Sequence, residues 1–247
     1  MKLASRTAIV TGGAQGIGRA IAEKLMVEGA EVVLADIDAD LLEACSKEIG
    51  AKSWIAGDLS KEEGAQALVE HALGVWGRID VLVNNAGGGV LLPFLDHTPE
   101  TLRKTMDGNF WTCLWACRAV LPTMIKQHFG RIVNMGGDSV RNGLWLHAAY
   151  NGAKGGVHGL TTGLAREFAT AGITVNAVAP CIVSTPRVES FIKSGKNRMV
   201  QQMIDIVPIG RAAEMAEVAS AVAYLASDEA SFITGQVLSV NGGSTML

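Results

Sequence analysis

The chain has 247 residues, 49% of them apolar, and a formal net charge of −3 built from well-mixed signs. Such a length can bury a full-sized core, the charge argues against a nucleic-acid surface, and no apolar run approaches the roughly 18 residues of a membrane span. The high apolar share points to a parallel sheet covered on both faces or to an extensive subunit interface.

The opening Met1-Lys2-Leu3-Ala4-Ser5-Arg6 lacks the apolar centre of a targeting segment and runs straight into a strand-like Thr7-Ala-Ile-Val10, so a cytoplasmic protein is expected. Short β-branched or apolar runs predict strands over 7–11, 31–36, 52–58, 81–84, 130–135, 174–179 and 236–240. Helical patterns fill the gaps, near 16–29, 38–50, 61–76, 98–127, 148–171 and 214–227. That alternation implies βαβ crossovers, hence an α/β fold with a doubly wound, mostly parallel sheet of about seven strands. With no linker, charge block or internal repeat, residues 1–247 read as one domain. Cys45, Cys113, Cys117 and Cys181 show neither Cys-x-x-Cys spacing nor a disulfide framework, which suits a reducing compartment. Cys113 and Cys117 share a helix face and read as core residues rather than a metal site.

The first strand runs into Thr11-Gly12-Gly13-Ala14-Gln15-Gly16-Ile17-Gly18, with a helical pattern from Arg19 onward. Glycines there allow a tight turn and close backbone approach, and a helix N-terminus offers unpaired N–H groups to a pyrophosphate. A purely structural glycine turn is the plainer alternative. The second strand ends at Asp36, whose carboxylate can accept both hydroxyls of an adenosine ribose and would repel a 2′-phosphate. Neither Gln15 nor Ile37 supplies a base to hold that phosphate, so NAD is favoured over NADP.

Tyr150 and Lys154 stand four apart in His147-Ala-Ala-Tyr-Asn-Gly-Ala-Lys154. On a helix they share one face, with Cβ atoms roughly 5–6 Å apart. An ammonium so placed is expected to pull the tyrosine pKa down from about 10, making it an acid/base for an alcohol or ketone. One such pair arises by chance roughly one time in ten at ordinary composition, so the pair alone proves little.

Taken with the glycine turn, Asp58-Leu59, Asn84-Asn85-Ala86-Gly87, Asn109, Pro180 through Thr185 and the tail from Ile233 to Gly243, the pair resembles the short-chain dehydrogenase/reductase family over essentially the whole chain. The resemblance implies that Asp58 and Leu59 flank an adenine and that Asn85, Ala86 and Gly87 pass along the cofactor. It implies that Val183 and Thr185 contact the nicotinamide carboxamide. Tyr150 would exchange the proton with substrate, Lys154 would bind the nicotinamide ribose, and Asn109 would hold a water leading toward solvent. Family members are commonly tetramers, and Leu114, Trp115, Val120 and Phe168 are available for such packing; one large core is the alternative.

Two positions depart from the family pattern. The family places a serine thirteen residues before the tyrosine, where this chain has Gly137, in Asn134-Met-Gly-Gly-Asp-Ser139. Losing such a donor typically costs about 10²–10³ in rate. Ser139 could take its place, as could Asp138 or a water; alternatively the protein is a weak enzyme or a cofactor-binding relic, or Gly137 is an engineered change. A working enzyme is favoured, with Ser139 entered among the catalytic candidates. Cys181 stands where the family has glycine, and fits if its φ is negative; a reactive thiol there would need a basic neighbour.

The segments expected to line a substrate pocket carry Val90, Leu91, Leu92, Phe94, Leu144, Trp145, Leu146 and Phe191, suited to a ring or alkyl chain. His147 could approach substrate, though a lone histidine is more often a structural hydrogen bonder. Arg141 and Arg187 could meet a carboxylate or a coenzyme A ester, or simply be solvated. The 185–211 stretch reads as a lid with a hinge at Ser194-Gly195. The sequence loosely resembles family members that oxidise cyclic alcohols and dihydrodiols. A 3-oxoacyl-thioester reductase is the second enzymatic reading, and a non-catalytic NAD-binding sensor or scaffold the reading from another class.

Overall fold

The computed structural model describes residues 1–193 and 197–246. Seven strands, β1 (Thr7–Thr11), β2 (Glu31–Asp36), β3 (Ser53–Ala56), β4 (Val81–Asn84), β5 (Gly130–Met135), β6 (Ile173–Pro180) and β7 (Val237–Val240), form one sheet in the order β3-β2-β1-β4-β5-β6-β7. Every neighbouring pair is parallel. The strand order reverses between β1 and β4, which opens a crevice at the carboxyl ends of the strands, the usual binding place of such sheets.

The helices on the two faces are α1 (Gly16–Val27), α2 (Ala39–Ile49), α3 (Glu62–Trp76), α4 (Pro99–Met106), α5 (Thr112–Gln127), α6 (Ser139–Asn142), α7 (Ala148–Phe168), α8 (Pro186–Lys193), α9 (Asn197–Asp205) and α10 (Met215–Ala226). Their limits follow from local chemistry. Asp38 caps α2 by accepting the Leu41 N–H at 3.0 Å, and Gly50 ends it at φ +74°. Thr98 and Thr101 form a reciprocal cap around Pro99 at the start of α4.

Side chains alternate across the strands, so each central strand feeds two cores. Ala8, Val10, Val32, Leu34, Val81 and Val83 pack toward Ile21, Leu25, Val222 and Leu225 of α1 and α10. Ile9, Val33 and Leu82 face Leu68, Val120, Met124 and Val157 of α3, α5 and α7. This two-sided burial accounts for the apolar composition; truncating Ile9 or Leu82 to alanine should cost about 2–5 kcal/mol. The edge strands β3 and β7 are only partly covered.

The structure departs from the sequence-based elements in three places. The strand expected over 52–58 stops at Ala56, because Asp58 turns back to accept the Ser60 N–H at 2.9 Å. The helix expected over 98–127 is interrupted by a π-turn at Asp107–Trp111 that contains Asn109. The 185–211 stretch holds two helices, α8 and α9; the Ser194-Gly195 hinge lies outside the described residues.

Candidate active site

The glycine turn joins β1 to α1 beneath the crevice. Gly12 has φ +61°, and a Cβ on it would stand 2.9 Å from both Ala86 Cα and Asn85 Nδ2. A Cβ on Gly18 would run into the Gly12 carbonyl oxygen, so neither position admits a side chain as the backbone stands. Nothing lies within 4 Å of the Cβ direction of Gly16, and α1 has Gln15 at its N-cap position with no side-chain cap bond and no acidic residue in its first turn. Ile17 follows and lines the cavity described below. Open space before uncapped N–H groups suits a diphosphate. Asp36 accepts the Ala14 N–H at 3.3 Å and the Ile37 N–H at 2.8 Å, which places its carboxylate beside the turn; Ile37 itself is exposed. Asp58 is exposed and Leu59 is buried in the core, both beyond the end of β3.

The segment after β4 is fastened to this turn. Asn85 Nδ2 donates to the Thr11 and Gly12 carbonyls at 3.0 Å each, and the Asn85 and Ala86 N–H groups donate to Thr11 Oγ1 at 3.0 and 2.9 Å. From the other side, Asn109 Nδ2 donates to the Gly88 carbonyl at 2.6 Å and to the Thr105 carbonyl at 2.8 Å, while its Oδ1 accepts the Gly88 N–H at 3.2 Å. Asn109 is buried, and these contacts make it a clamp on Gly88 with one Oδ1 lone pair left over. A Cβ on Gly87 would stand 2.9 Å from that Oδ1 and 3.4 Å from Lys154 Nζ, so the absent side chain lets the two approach.

Tyr150 and Lys154 share a face of α7 as expected, but the electrostatics correct the expectation. Lys154 Nζ donates to the Met135 carbonyl at 2.7 Å and lies 5.9 Å from the Tyr150 ring centroid. Both groups lose solvent. Burial pushes the tyrosine up to about 12, with the Arg187 charge opposing, and burial pushes the lysine down to about 8. Desolvation of each charged form dominates, and the cation that opposes it at the tyrosine is Arg187, not the lysine.

Gly137 packs on Tyr150. A Cβ at this position would stand 3.2 Å from Tyr150 Cε1 and 3.4 Å from its hydroxyl, so a serine would fit if the ring yields a few tenths of an ångström. Ser139 does not fill that place: its hydroxyl donates to Asn151 Oδ1 at 2.6 Å. Asp138 is committed as well, accepting from Asn241 Nδ2 at 2.9 Å and from the hydroxyls of Ser244 and Thr245. His158, not singled out from sequence, accepts the Gly137 N–H on Nε2 at 3.4 Å, and burial lowers its pKa to about 4. Its ring fills the volume that a side chain on Gly136 would need.

Pro180, Val183 and Thr185 bring the chain from β6 to the rim of a cavity of about 300 Å³ that also meets Gly137 and Tyr150. Val183 is pinned by pairing with Ala213, and Thr185 Oγ1 accepts the Val188 N–H at 3.3 Å. Cys181 has no positive φ, so the substitution for glycine costs no strain, and burial raises its thiol pKa, away from reactivity. Of the expected apolar lining, Leu91, Leu144 and Phe191 reach the cavity; Val90, Leu92, Phe94, Trp145 and Leu146 do not. Trp145 is 76% exposed and, with Leu146, borders a smaller hollow behind. Further apolar wall comes from Met199, Val200, Met203 and Ile206, which sequence reading missed. Their three-to-four-residue spacing in an amphipathic helix was the available signal. Arg141 is spent on β7, donating to Ser239 Oγ at 2.7 Å and to the Val237 carbonyl at 3.2 Å. Arg187 instead lies at the cavity, reaching the Gly89 carbonyl only at 3.5 Å.

A family model described as enoyl-(acyl carrier protein) reductase matches residues 12–245. The chain is 54% identical to the 2,3-dihydroxy-2,3-dihydro-p-cumate dehydrogenase of Pseudomonas putida strain F1, over 100% of this chain and 97% of that protein. It is 40% identical to the 1,6-dihydroxycyclohexa-2,4-diene-1-carboxylate dehydrogenase of Acinetobacter baylyi, over 96% and 95% of the two chains. The crystal structure of gox2181 superposes with a TM-score of 0.92 at 35% identity, over 98% and 96%. With these matches spanning the sheet, the glycine turn and the Tyr150 face alike, the chain belongs to the short-chain dehydrogenase/reductase family and is an oxidoreductase that acts on a small molecule.

Proposed function

We propose that this dehydrogenase oxidises a ring-borne vicinal diol that carries a carboxylate, with NAD as the hydride acceptor. The observation that carries this reading is the cavity itself: an apolar chamber with Tyr150 in its wall and one guanidinium at its rim, Arg187, which lies over the Phe191 ring at 5.6 Å and faces no carboxylate among the described residues. An apolar ring suits the chamber and a carboxylate suits the guanidinium. The names of the two bacterial relatives describe dihydroxylated ring carboxylates, which agrees in chemistry.

Gly12, Gln15, Gly16, Ile17 and Gly18 would hold the diphosphate on the α1 N-terminus, and Asp36 the adenosine ribose, excluding a 2′-phosphate. Asp58 and Leu59 would border the adenine, and Asn85, Ala86 and Gly87 the middle of the cofactor. Pro180, Val183 and Thr185 would orient the nicotinamide ring. Bound there, the oxidised nicotinamide supplies the carbon that accepts hydride and a positive charge that favours a tyrosinate. Tyr150 takes the substrate's hydroxyl proton, and Lys154, held by Met135, anchors the neighbouring ribose. The spare lone pair on Asn109 is available to a water between it and the lysine. We keep Ser139 as a support to the loop through Asn151 rather than as a donor to substrate.

One unbroken sheet carries both halves of the site, in keeping with a single catalytic unit. The exposed Trp111, stacked on Trp115 at 5.7 Å, and the fully exposed Phe232 suit further burial between copies, in keeping with a homotetramer. Four unpaired cysteines agree with a cytoplasmic location.

The test is NADH production from NAD with cis-dihydrodiol carboxylates, uncharged ring alcohols and hydroxyacyl thioesters, each with wild type and Arg187→Ala. The expected result is preference for the carboxylated diol and a KM for it raised about 10- to 100-fold in the variant, the range for losing a hydrogen bond to a charged group. Preference for the thioester would turn the assignment to an acyl-thioester reductase. Tight NAD binding by calorimetry without turnover of any substrate would turn it to a sensor.

A further inference from the structure

His147 is the histidine of the cavity wall and has no part in the proton and hydride chemistry described above. It is 9% exposed, and its ring stands edge-on to Tyr150 with centroids 5.7 Å apart. Its Nδ1 lies 2.7 Å from the Trp145 carbonyl oxygen. A carbonyl only accepts, so Nδ1 carries the hydrogen and Nε2 of the neutral ring keeps a lone pair. Among the described residues no donor reaches that Nε2. Burial lowers the pKa of the ring, which keeps it neutral through physiological pH.

The backbone is bent to present this ring. Leu146, the residue before it, has φ +64°, one of three non-glycine residues with positive φ among those described. Left-handed backbone is unfavourable for a leucine and persists only where surrounding contacts impose it. Here the turn is closed by the His147 N–H donating to the Leu144 carbonyl at 3.2 Å, and His147 then hands over to α7 three residues ahead of Tyr150. A strained turn thus delivers a neutral, tautomer-fixed acceptor beside the acid/base tyrosine.

We propose that His147 Nε2 accepts the hydrogen bond of the second hydroxyl of a vicinal diol while Tyr150 engages the hydroxyl being oxidised. The inference rests on the diol reading above and adds the residue that distinguishes a diol from a simple alcohol. A ring alcohol lacking the second hydroxyl would leave the imidazole lone pair unsatisfied in an apolar chamber, which is how a site comes to reject such an analogue.

The test compares kcat/KM for cis-cyclohexanediol and cyclohexanol, at saturating NAD, in wild type, His147→Asn and His147→Gln. Asparagine can keep the donor to the Trp145 carbonyl, because its Nδ2 stands near the position of the imidazole Nδ1, but it has no group at Nε2. Glutamine reaches the Nε2 position. The expected result is a wild-type preference for the diol that falls about 10- to 100-fold in His147→Asn, mainly through KM, and is partly restored in His147→Gln. A diol preference unchanged in His147→Asn would overturn the proposal and leave the imidazole as a brace for the loop. A wild type that oxidises cyclohexanol as well as the diol would overturn it too, with the dehydrogenase assignment intact. A wild type inactive on both probes and on the carboxylated dihydrodiols would defeat the diol reading, and the inference with it.

Discussion

The glycine turn, through Ile17, and the substrate chamber, through Tyr150, border one cavity, yet different physics builds them. Around Gly12 the backbone of one segment lies directly on another, and Asn85 and Thr11 stitch the two with four hydrogen bonds of about 3 Å. A side chain at Gly12 or Gly18 has nowhere to go. Across the crevice, Met199, Met203, Leu144 and Phe191 wall the chamber with dispersion contacts, and the most constrained point is the left-handed Leu146. Close backbone approach demands particular residues, whereas an apolar wall demands only volume and shape. The first kind of region should tolerate almost no change, and the second should admit new substrates by exchange of side chains.

The largest effect that would sharpen this contrast is at the junction. Tyr150→Phe should lower kcat by about 10²–10⁴, the usual range for general acid/base groups, and leave calorimetric cofactor affinity close to wild type. A parallel fall in cofactor affinity would mean that the two regions are not separable.

Next in size is the cost of burying Lys154 at their meeting point. Its folded pKa of about 8 lies below the ordinary 10.5. Between those values the unfolded chain holds a proton that the folded chain has released, so stability rises with pH across that window, by about 3 kcal/mol in all. Tyr150 works in the opposite sense, holding its proton in the folded state from the ordinary pKa of 10 to about 12. Urea unfolding at several pH values should show the Lys154 rise in wild type and a flatter profile in Lys154→Met. Identical profiles would show the ammonium to be solvated.

Gly18→Ala should weaken cofactor binding and cost about 1–3 kcal/mol of stability, as overpacking does. Met203→Leu, a volume-conserving exchange in the wall, should cost under about 1.5 kcal/mol. Equal costs measured by thermal unfolding would erase the contrast between the regions.

The smallest effect expected is at Gly137. Gly137→Ser should raise kcat up to about tenfold by adding one donor beside the Tyr150 hydroxyl, whereas Gly136→Ser should destabilise by colliding with His158. A Gly137→Ser enzyme slower than wild type would show that the open space is itself used by the substrate.

Much of the first region was legible in the chain because its signals are local. A strand, a glycine spacing and a carboxylate at the next strand end lie within some thirty residues of one another, and β1, β2 and β4 start and end where the residues alone placed them. The second region was legible only in fragments. Trp145 and Met203 look equally able to line a pocket in sequence; one points to solvent and the other into the chamber because α9 folds over it. Arg141 and Arg187 are likewise indistinguishable until β7 takes the first.

The sequence by itself determined the alternation that makes a parallel sheet, the turn that bares the α1 N-terminus, and the Tyr150–Lys154 face, since each depends on spacing within one element or one crossover. Tertiary structure decided the rest. It set the protonation of that pair, because desolvation depends on what packs over them, and it committed Ser139 to Asn151 and Asn109 to Gly88, because a hydrogen-bonding group serves the nearest partner that folding brings.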